Sequence, residues 1–279
     1  MGRSLNDDTL RPAEGHREAG ERVPQQSHRD SRTQEGKTVY RVCGQNYHLS
    51  PRQSAMLRDI GTFRTVTAVS LQKHVYRGDE DRFRKDLRNL TDQRLVAVLP
   101  NPRGRDRYVS LTRSGKNLTE THLRSGAEQS LYSGIVKKRE LRHDAAIYEV
   151  YQKEAQKIAK SGGTVKRVVL DFELKKNVNR QLARIQNLSP AERECQRQQI
   201  VEEHGLKIVQ GKIQIPDVRV EYESQEQEQC KVDLECVTGH YKARQIAAKV
   251  AAGFKLYNQD YRGRSAERGE DLIGEVMSL

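Results

Sequence analysis

The stretch "IPDVRVEYESQEQEQCKVDLECVTGHYK", Ile215 to Lys242, contains two runs of alternating apolar and charged residues around a polar turn. Because side chains alternate across a strand, the two runs predict antiparallel strands with one apolar and one polar face. The polar parity of these strands is mostly acidic and consists of Asp217, Arg219, Glu221, Asp233 and Glu235. Carboxylates therefore collect on one face of a predicted sheet, in a chain that is otherwise basic.

A third run, "VKRVVLDFELKK" at residues 165–176, is predicted as another strand, with Asp171 and Glu173 on its polar face. Like charges directly opposite one another destabilise a sheet, so an acidic face needs a compensating partner. Carboxylate oxygens suit Mg²⁺ or Mn²⁺, and such an ion beside a phosphodiester can activate water and stabilise the leaving oxygen. The residues favour a metal site, and an ordinary solvated sheet face is the alternative.

Composition narrows the class of partner. The chain has 279 residues and a formal net charge of +12, which allows two domains plus tails and favours nucleic acid over a membrane surface. No run approaches the roughly 20 apolar residues of a membrane span, and the start lacks an apolar signal core. We therefore expect a cytoplasmic protein without a membrane partner. The four cysteines lack zinc-site spacing and are expected to be reduced thiols.

The N-terminal half is predicted to contain a polar disordered arm at residues 1–38 and a folded domain at residues 39–124. In that domain Ser50 is expected to cap a first helix, with Pro51 at its first position. Thr67 should begin a second helix and Asp79 a third, whose buried stripe is Phe83, Leu87 and Leu90. The runs "RLVAVLP" and "RYVSLT" predict a hairpin after the third helix.

The segment "RFRKDLRNLTDQRLVAVLPNPRGRDRYVSLTRSGKNL" resembles the third helix and wing of MarR- and PadR-like winged helix-turn-helix domains. The resemblance implies that the helix enters a major groove of double-stranded DNA while the wing follows the phosphates. Seven basic residues are the expected DNA contacts: Arg82, Arg84, Lys85 and Arg88 on the helix, and Arg103, Arg105 and Arg107 on the wing. A winged helix that docks another protein is the alternative.

The C-terminal half, residues 125–262, is predicted as a nuclease-like domain followed by a tail at residues 263–279. Its expected order is a long helix ending at Gly162 and Gly163, the strand described above, a helical insertion broken around Pro190, the two acidic strands and a last long helix, "HYKARQIAAKVAAGFKLYNQDY". Between residues 137 and 184, thirteen Lys or Arg outnumber six Asp or Glu. This excess indicates either a surface that tracks DNA or a solvated helix face.

This element order resembles the PD-(D/E)xK, or restriction-endonuclease-like, fold. Pro216-Asp217 stands for "PD", and Asp233-Leu234-Glu235 stands for "(D/E)xK" with Glu235 in place of the usual lysine. The acidic pattern through Thr238 and the preceding winged helix resemble the replication-relaxation family of plasmid and mobile-element relaxase-like proteins. What the resemblance implies is an α+β protein with a winged helix-turn-helix domain followed by a restriction-endonuclease-like α/β domain.

The same resemblance implies a function and a site. The protein would nick or cleave DNA by metal-dependent phosphodiester hydrolysis, in plasmid or mobile-element replication or mobilisation. Mg²⁺ or Mn²⁺ would be held by Asp217, Asp233 and Glu235, with Lys242 or His143 positioning the reacting groups.

Two other classes of function remain open at the level of sequence. One is a non-catalytic DNA-binding regulator or replication initiator with a degenerate nuclease-like domain, and the other is an adaptor that binds only protein. Single-stranded DNA at the second domain and a homodimer are further open points.

Overall fold

The structure, a computed structural model, describes residues 36–102, 104, 106–124, 126, 128–134, 140–238 and 241–258. The predicted tail at residues 263–279 lies outside the described residues, as does the predicted arm at residues 1–38 except for its last three positions. None of the helices in these ranges is long and apolar enough to cross a membrane.

The described part of the chain is a mixed α+β structure. Its helices are α1 (Pro51–Phe63), α2 (Ala68–His74), α3 (Glu80–Asp92), α4 (Arg113–Leu118), α5 (Leu141–Lys160), α6 (Asp171–Arg184), α7 (Pro190–Glu203) and α8 (Ala243–Ala251), with a π-helical turn at Thr119–Leu123. Its strands are β1 (Thr38–Val42), β2 (Gln45–Leu49), β3 (Val66–Thr67), β4 (Val96–Pro100), β5 (Arg107–Leu111), β6 (Thr164–Leu170), β7 (Lys207–Val209), β8 (Lys212–Gln214), β9 (Val218–Glu223), β10 (Gln229–Val237) and β11 (Lys255–Asn258).

The first half follows the caps and stripes expected from sequence. The hydroxyls of Ser50 and Thr67 and the carboxylate of Asp79 accept backbone N–H bonds at the starts of α1, α2 and α3. On α3 the apolar stripe of Phe83, Leu87 and Leu90 is buried. Strands β3, β5 and β4 form an antiparallel sheet in that order, so the predicted hairpin is confirmed and gains a third strand from between α1 and α2.

The second half is built on a four-stranded sheet in the order β11-β10-β9-β6. Strands β6, β9 and β10 are antiparallel, and β11 runs parallel to β10. The apolar parity of this sheet, which includes Val218, Val220 and Leu234, belongs to the same continuous core as Ile147 and Ile158 of α5. The polar parity therefore faces the other way, toward α6, α7 and α8.

Helix α5 packs against both halves of the chain. Its Tyr148 ring lies edge-on to Phe63 at the end of α1, with 5.1 Å between centroids, and the Tyr148 hydroxyl donates to Asp59 at 2.6 Å. On the same helix Glu149 lies 3.2 Å from the Nε2 of His74 in α2. Since one core continues through this helix, the described residues of the two halves belong to a single compact unit. The boundary proposed at residue 124 stays a prediction.

The predicted strand at residues 165–176 is wrong in its second part. Strand β6 ends at Leu170, whose pairing with Val218 is the last position of the ladder, and helix α6 begins at Asp171. Acidic residues are stabilised in the first turn of a helix, and Leu174 and Val178 then recur at helical spacing on its buried side. Asp171 and Glu173 consequently do not belong to the polar face of a strand.

The last predicted helix is also shorter than expected. Helix α8 ends at Ala251, Gly253 adopts a left-handed φ of 88°, and Phe254 N donates to Lys249 O, which closes the helix. The chain then forms β11, where Lys255 and Tyr257 both bind the buried carboxylate of Glu154 on α5 at 2.6 Å. These contacts hold residues 255–258 at the edge of the sheet, although the sequence alone predicts a helix there.

Phe63→Ala should lower the free energy of unfolding by about 3–5 kcal/mol, because it removes a buried ring and leaves a cavity beside Tyr148. Since α5 belongs to both halves, we expect one unfolding transition when urea denaturation is followed by circular dichroism and by hydrogen exchange in each half. Val39→Ala is the matched control at a 54% exposed position and should stay within about 0.5 kcal/mol. Loss of protection in the first half alone would contradict the shared core.

Candidate functional site

The register of the β9–β10 hairpin decides which of the predicted acids meet. Leu234 pairs with Val218 and Asp233 with Arg219, so the next position along places Asp217 opposite Glu235. This register follows from the turn at residues 224–228, in which Ser224 N donates to Glu228 O and the Ser224 hydroxyl accepts from two backbone N–H groups. The acidic residues on the polar face of the hairpin therefore form two separate groups.

The first group joins Asp217 and Glu235 at the end of the ladder. The backbone N–H of Asp217 donates to Glu235 Oε2 at 3.2 Å, and Asp217 Oδ2 accepts from the backbone N–H of Cys236 at 2.8 Å. Glu235 is only 1% exposed. Burial, with the neighbouring charge of Asp217, raises the pKa of Glu235, and the ammonium of Lys249 opposes this rise. A buried carboxylate such as that of Glu235 stays ionised only with a cation beside it.

Helix α8 supplies that cation. Lys249 Nζ lies 2.8 Å from Glu235 Oε1 and also donates to the carbonyl oxygen of Ile215, just before Pro216-Asp217. The Tyr241 hydroxyl donates to the same Glu235 oxygen at 2.9 Å. Burial, together with the charge of Glu235, raises the pKa of Tyr241, so its hydroxyl stays protonated and acts as a donor.

Helix α5 brings His143 to the other side of Asp217. The Nε2 of His143 lies 3.2 Å from Asp217 Oδ1, and the imidazole is 34% exposed. This hydrogen bond raises the pKa of His143, which favours the imidazolium form. One continuous polar cluster, the acid–lysine cluster, thus consists of His143, Asp217, Glu235 and Lys249. These residues come from α5, the position just before β9, β10 and α8.

The second group of acids is neutralised within the sheet. Arg219, 4% exposed, binds both oxygens of Asp233 at 2.7 and 2.9 Å. The same guanidinium also donates to the carbonyl oxygens of His204 and Gly205 after α7. Glu221 stands opposite Lys231 in the ladder. Asp233 is therefore held by arginine and does not join Asp217, although sequence reasoning placed both in one metal site.

The two acids assigned to a third strand have other partners. Glu173 accepts from Tyr132 at 2.8 Å and from Arg167 at 2.5 Å, and Asp171 binds Lys175 one turn along α6. The backbone N–H of Asp171 donates to the carbonyl oxygen of Asp217 at 3.0 Å. Helix α6 therefore begins directly beside the acid–lysine cluster.

Sequence reasoning missed Lys249 and chose Lys242 instead. Lys242 is exposed just before α8 and forms no ion pair with Asp217 or Glu235 within the described ranges. Lys249 lies two turns further along the same helix, where its side chain is 17% exposed. Lys249 lies seven residues, or two helical turns, after Lys242, so the sequence does place both lysines on the same side of the helix. Choosing between them requires knowing how α8 packs on the sheet.

The predicted DNA contacts on the first half are mostly at the surface. Arg84, Lys85 and Arg88 are exposed on α3, with Arg84 paired to Glu80 one turn earlier, while Arg82 is half-buried. Arg107 is exposed at the start of β5. The remaining wing residues, Arg103 and Arg105, lie outside the described residues.

Lys249→Met should destabilise the protein by about 3–5 kcal/mol at pH 7, because it leaves the buried carboxylate of Glu235 without its cation. Adding Glu235→Gln to that variant should recover most of the loss, as measured by urea denaturation. The loss in the single variant should also shrink in acid, since an unpaired buried carboxyl with a raised pKa binds a proton more readily when folded than when unfolded. Additive costs of the two substitutions would show that the pair is not energetically coupled.

Comparison with known proteins assigns no family to this chain: no protein-family model, no curated protein and no solved structure gives a significant match.

Proposed function

We propose that this chain is a DNA-binding protein that nicks or cleaves DNA by metal-dependent phosphodiester hydrolysis at the acid–lysine cluster. The single observation that carries the proposal is the convergence of Asp217 and Glu235 across β9 and β10, with Lys249 between Glu235 and the start of β9. The sheet with its flanking helices supports a PD-(D/E)xK-like fold in the second half. The resemblance of the sequence to replication-relaxation proteins supports a role in plasmid or mobile-element replication or mobilisation.

The first half supports the DNA-binding part of the proposal. The order α1, β3, α2, α3, β4, β5, with β3 paired to β5, is compatible with a winged helix-turn-helix domain. In such a domain α3 would enter the major groove and the β4–β5 connection would follow the phosphates. Exposed Lys85, Arg88 and Arg107 are the described side chains best placed for those contacts.

The residues present fit a hard divalent cation. Mg²⁺ is usually held by one or two carboxylates together with water and substrate phosphates. Asp217 and Glu235 lie beside each other, since the Asp217 backbone N–H donates to Glu235 and the Asp217 carboxylate accepts from the backbone N–H of the next residue, Cys236. Asp217 and Glu235 would hold the cation, whereas Asp233 would first have to leave Arg219. A bound Mg²⁺ or Mn²⁺ would supply an activated water and stabilise charge on the phosphate oxygens.

The other residues of the cluster have separable roles. Lys249 holds the carboxylate of Glu235 in place and brings a positive charge toward a phosphate next to the cluster. His143, oriented by Asp217, presents a partly exposed imidazole whose raised pKa suits donation of a proton to a leaving oxygen. The hydrogen bond from the Tyr241 hydroxyl restricts rotation of the Glu235 carboxylate.

A non-catalytic DNA-binding regulator or replication initiator is the second candidate, and one observation favours it. Each carboxylate oxygen of Asp217 and Glu235 already has a donor from the protein, and Glu235 is 1% exposed. In that case the cluster serves to fasten α5 and α8 to the sheet. The two candidates differ in divalent-metal binding.

Asp217→Asn and Glu235→Gln should each reduce nicking of supercoiled DNA in Mg²⁺ or Mn²⁺ by at least about 100-fold. Each removes a proposed metal ligand, and loss of a residue that only orients a ligand already costs about 10–100-fold. DNA binding, measured by fluorescence anisotropy, should be retained. Asp233→Asn is the matched control, because that acid is held by Arg219 and should keep most of the activity. A wild-type chain that binds DNA but neither cuts it nor binds Mn²⁺ would establish the regulator instead.

Lys85→Gln with Arg88→Gln should weaken duplex binding through loss of two phosphate contacts. We expect the slope of log K against log salt concentration to fall in magnitude by about 1.8, or ~0.9 for each contact. Lys212→Gln, at an exposed position on β8, is the single-charge control. An unchanged slope in the double variant would exclude α3 as a DNA-binding helix.

A further inference from the structure

The outer face of α6 carries an unbalanced row of cations. Between residues 174 and 191 the chain has four Lys or Arg and no Asp or Glu. One of the four, Lys175, is paired with Asp171. The other three, Lys176, Arg180 and Arg184, recur every four residues and so form a stripe along one face of the helix.

This stripe is turned away from the protein. Leu174, Val178 and Leu182 occupy the opposite side of α6, where Val178 packs with Ile200 and Val201 of α7. Lys176, Arg180 and Arg184 are exposed, and none of them forms an ion pair with any residue that the structure describes. Nothing in the fold of the described chain uses these three charges.

The neighbouring helix of the same insertion shows that the stripe is not a general feature of exposed helices here. Helix α7 contains four Glu and two Arg, and Arg197 is paired with Glu194 on that helix. The two helices share one small core and differ in the sign of their surface charge. The positive charge of the insertion is therefore concentrated on α6.

The helix that carries the stripe begins beside the acid–lysine cluster. The first residue of α6, Asp171, donates its backbone N–H to the carbonyl oxygen of Asp217 in the acid–lysine cluster. At ~1.5 Å per residue the three cations cover about 12 Å of helix. Over that length one strand of duplex DNA passes about three or four phosphates at ~3.4 Å each.

We propose that the outer face of α6, through Lys176, Arg180 and Arg184, is a second DNA-binding surface that holds the phosphate backbone of duplex DNA leading to the acid–lysine cluster. The proposal rests on the DNA binding proposed above and not on hydrolysis. Duplex is the occupant because the face has cations and amides but no exposed ring, whereas surfaces for single strands stack bases on aromatic side chains. The one aromatic residue of α6, Phe172, packs edge-on against Tyr132.

The test compares two triple variants of the full chain with equal loss of charge. Lys176→Gln/Arg180→Gln/Arg184→Gln removes the stripe, and Lys160→Gln/Lys207→Gln/Lys212→Gln removes three exposed lysines elsewhere. Binding of a random-sequence duplex and of its separated strand is measured by anisotropy over a salt series, and folding is checked by circular dichroism and melting temperature.

For the stripe variant we expect the salt slope on duplex to fall in magnitude by about 2.7 and affinity at 0.1 M salt to fall roughly tenfold or more. The control variant should lose less than about one unit of slope.

Equal slopes for the stripe variant and the wild type, with the wild type still binding duplex, would overturn the α6 surface and leave the proposed function standing. Loss confined to the single strand would overturn the choice of duplex. A wild-type chain that binds no DNA would overturn both this proposal and the proposed function.

Discussion

The register between β9 and β10 is the constraint on which the rest of the candidate site depends. A shift by one residue would turn every side chain of β10 to the other face and would remove Glu235 from Asp217. The Ser224–Glu228 turn fixes that register through its own hydrogen bonds, at the opposite end of the hairpin from Asp217 and Glu235. It places Asp233 on Arg219 and leaves only Glu235 to join Asp217. A local turn thus decides which acids lie beside each other.

The cluster lies where several elements of both halves meet. Helix α5 carries His143 at its start and then packs on Phe63 and His74 through its next turns. Helix α6 begins at the carbonyl of Asp217, and its Phe172 and Glu173 contact Tyr132 and Arg64. Such a shared core holds the exposed basic face of α3 in a fixed position relative to the acids. The spacing between the α3 face and the cluster is then a property of the fold.

In the described part of the chain, several acids are paired within the fold while many cations lie at the surface. Glu235 is buried against Lys249, Asp233 is held by the buried Arg219, and Glu173 of α6 is paired with Arg167, so the charge of these three acids is compensated within the fold. Lys85 and Arg88 of α3 and Lys176, Arg180 and Arg184 of α6 are exposed, so the positive charge of these helices lies at the surface. A basic chain can therefore gather carboxylates in its interior while positive charge remains at its surface.

The sequence by itself determined the local structure of the first half and the faces of the two acidic strands. Ser50, Thr67 and Asp79 cap helices through short-range bonds, and strand parity is a property of neighbouring residues. Tertiary structure decided what local patterns leave open. Asp171 begins a helix because the β6–β9 ladder ends there, and Lys255 and Tyr257 form a strand because Glu154 binds both. Lys249 joins Glu235 only through the packing of α8 on the sheet, since a contact between residues on different elements depends on register and direction that no local signal encodes.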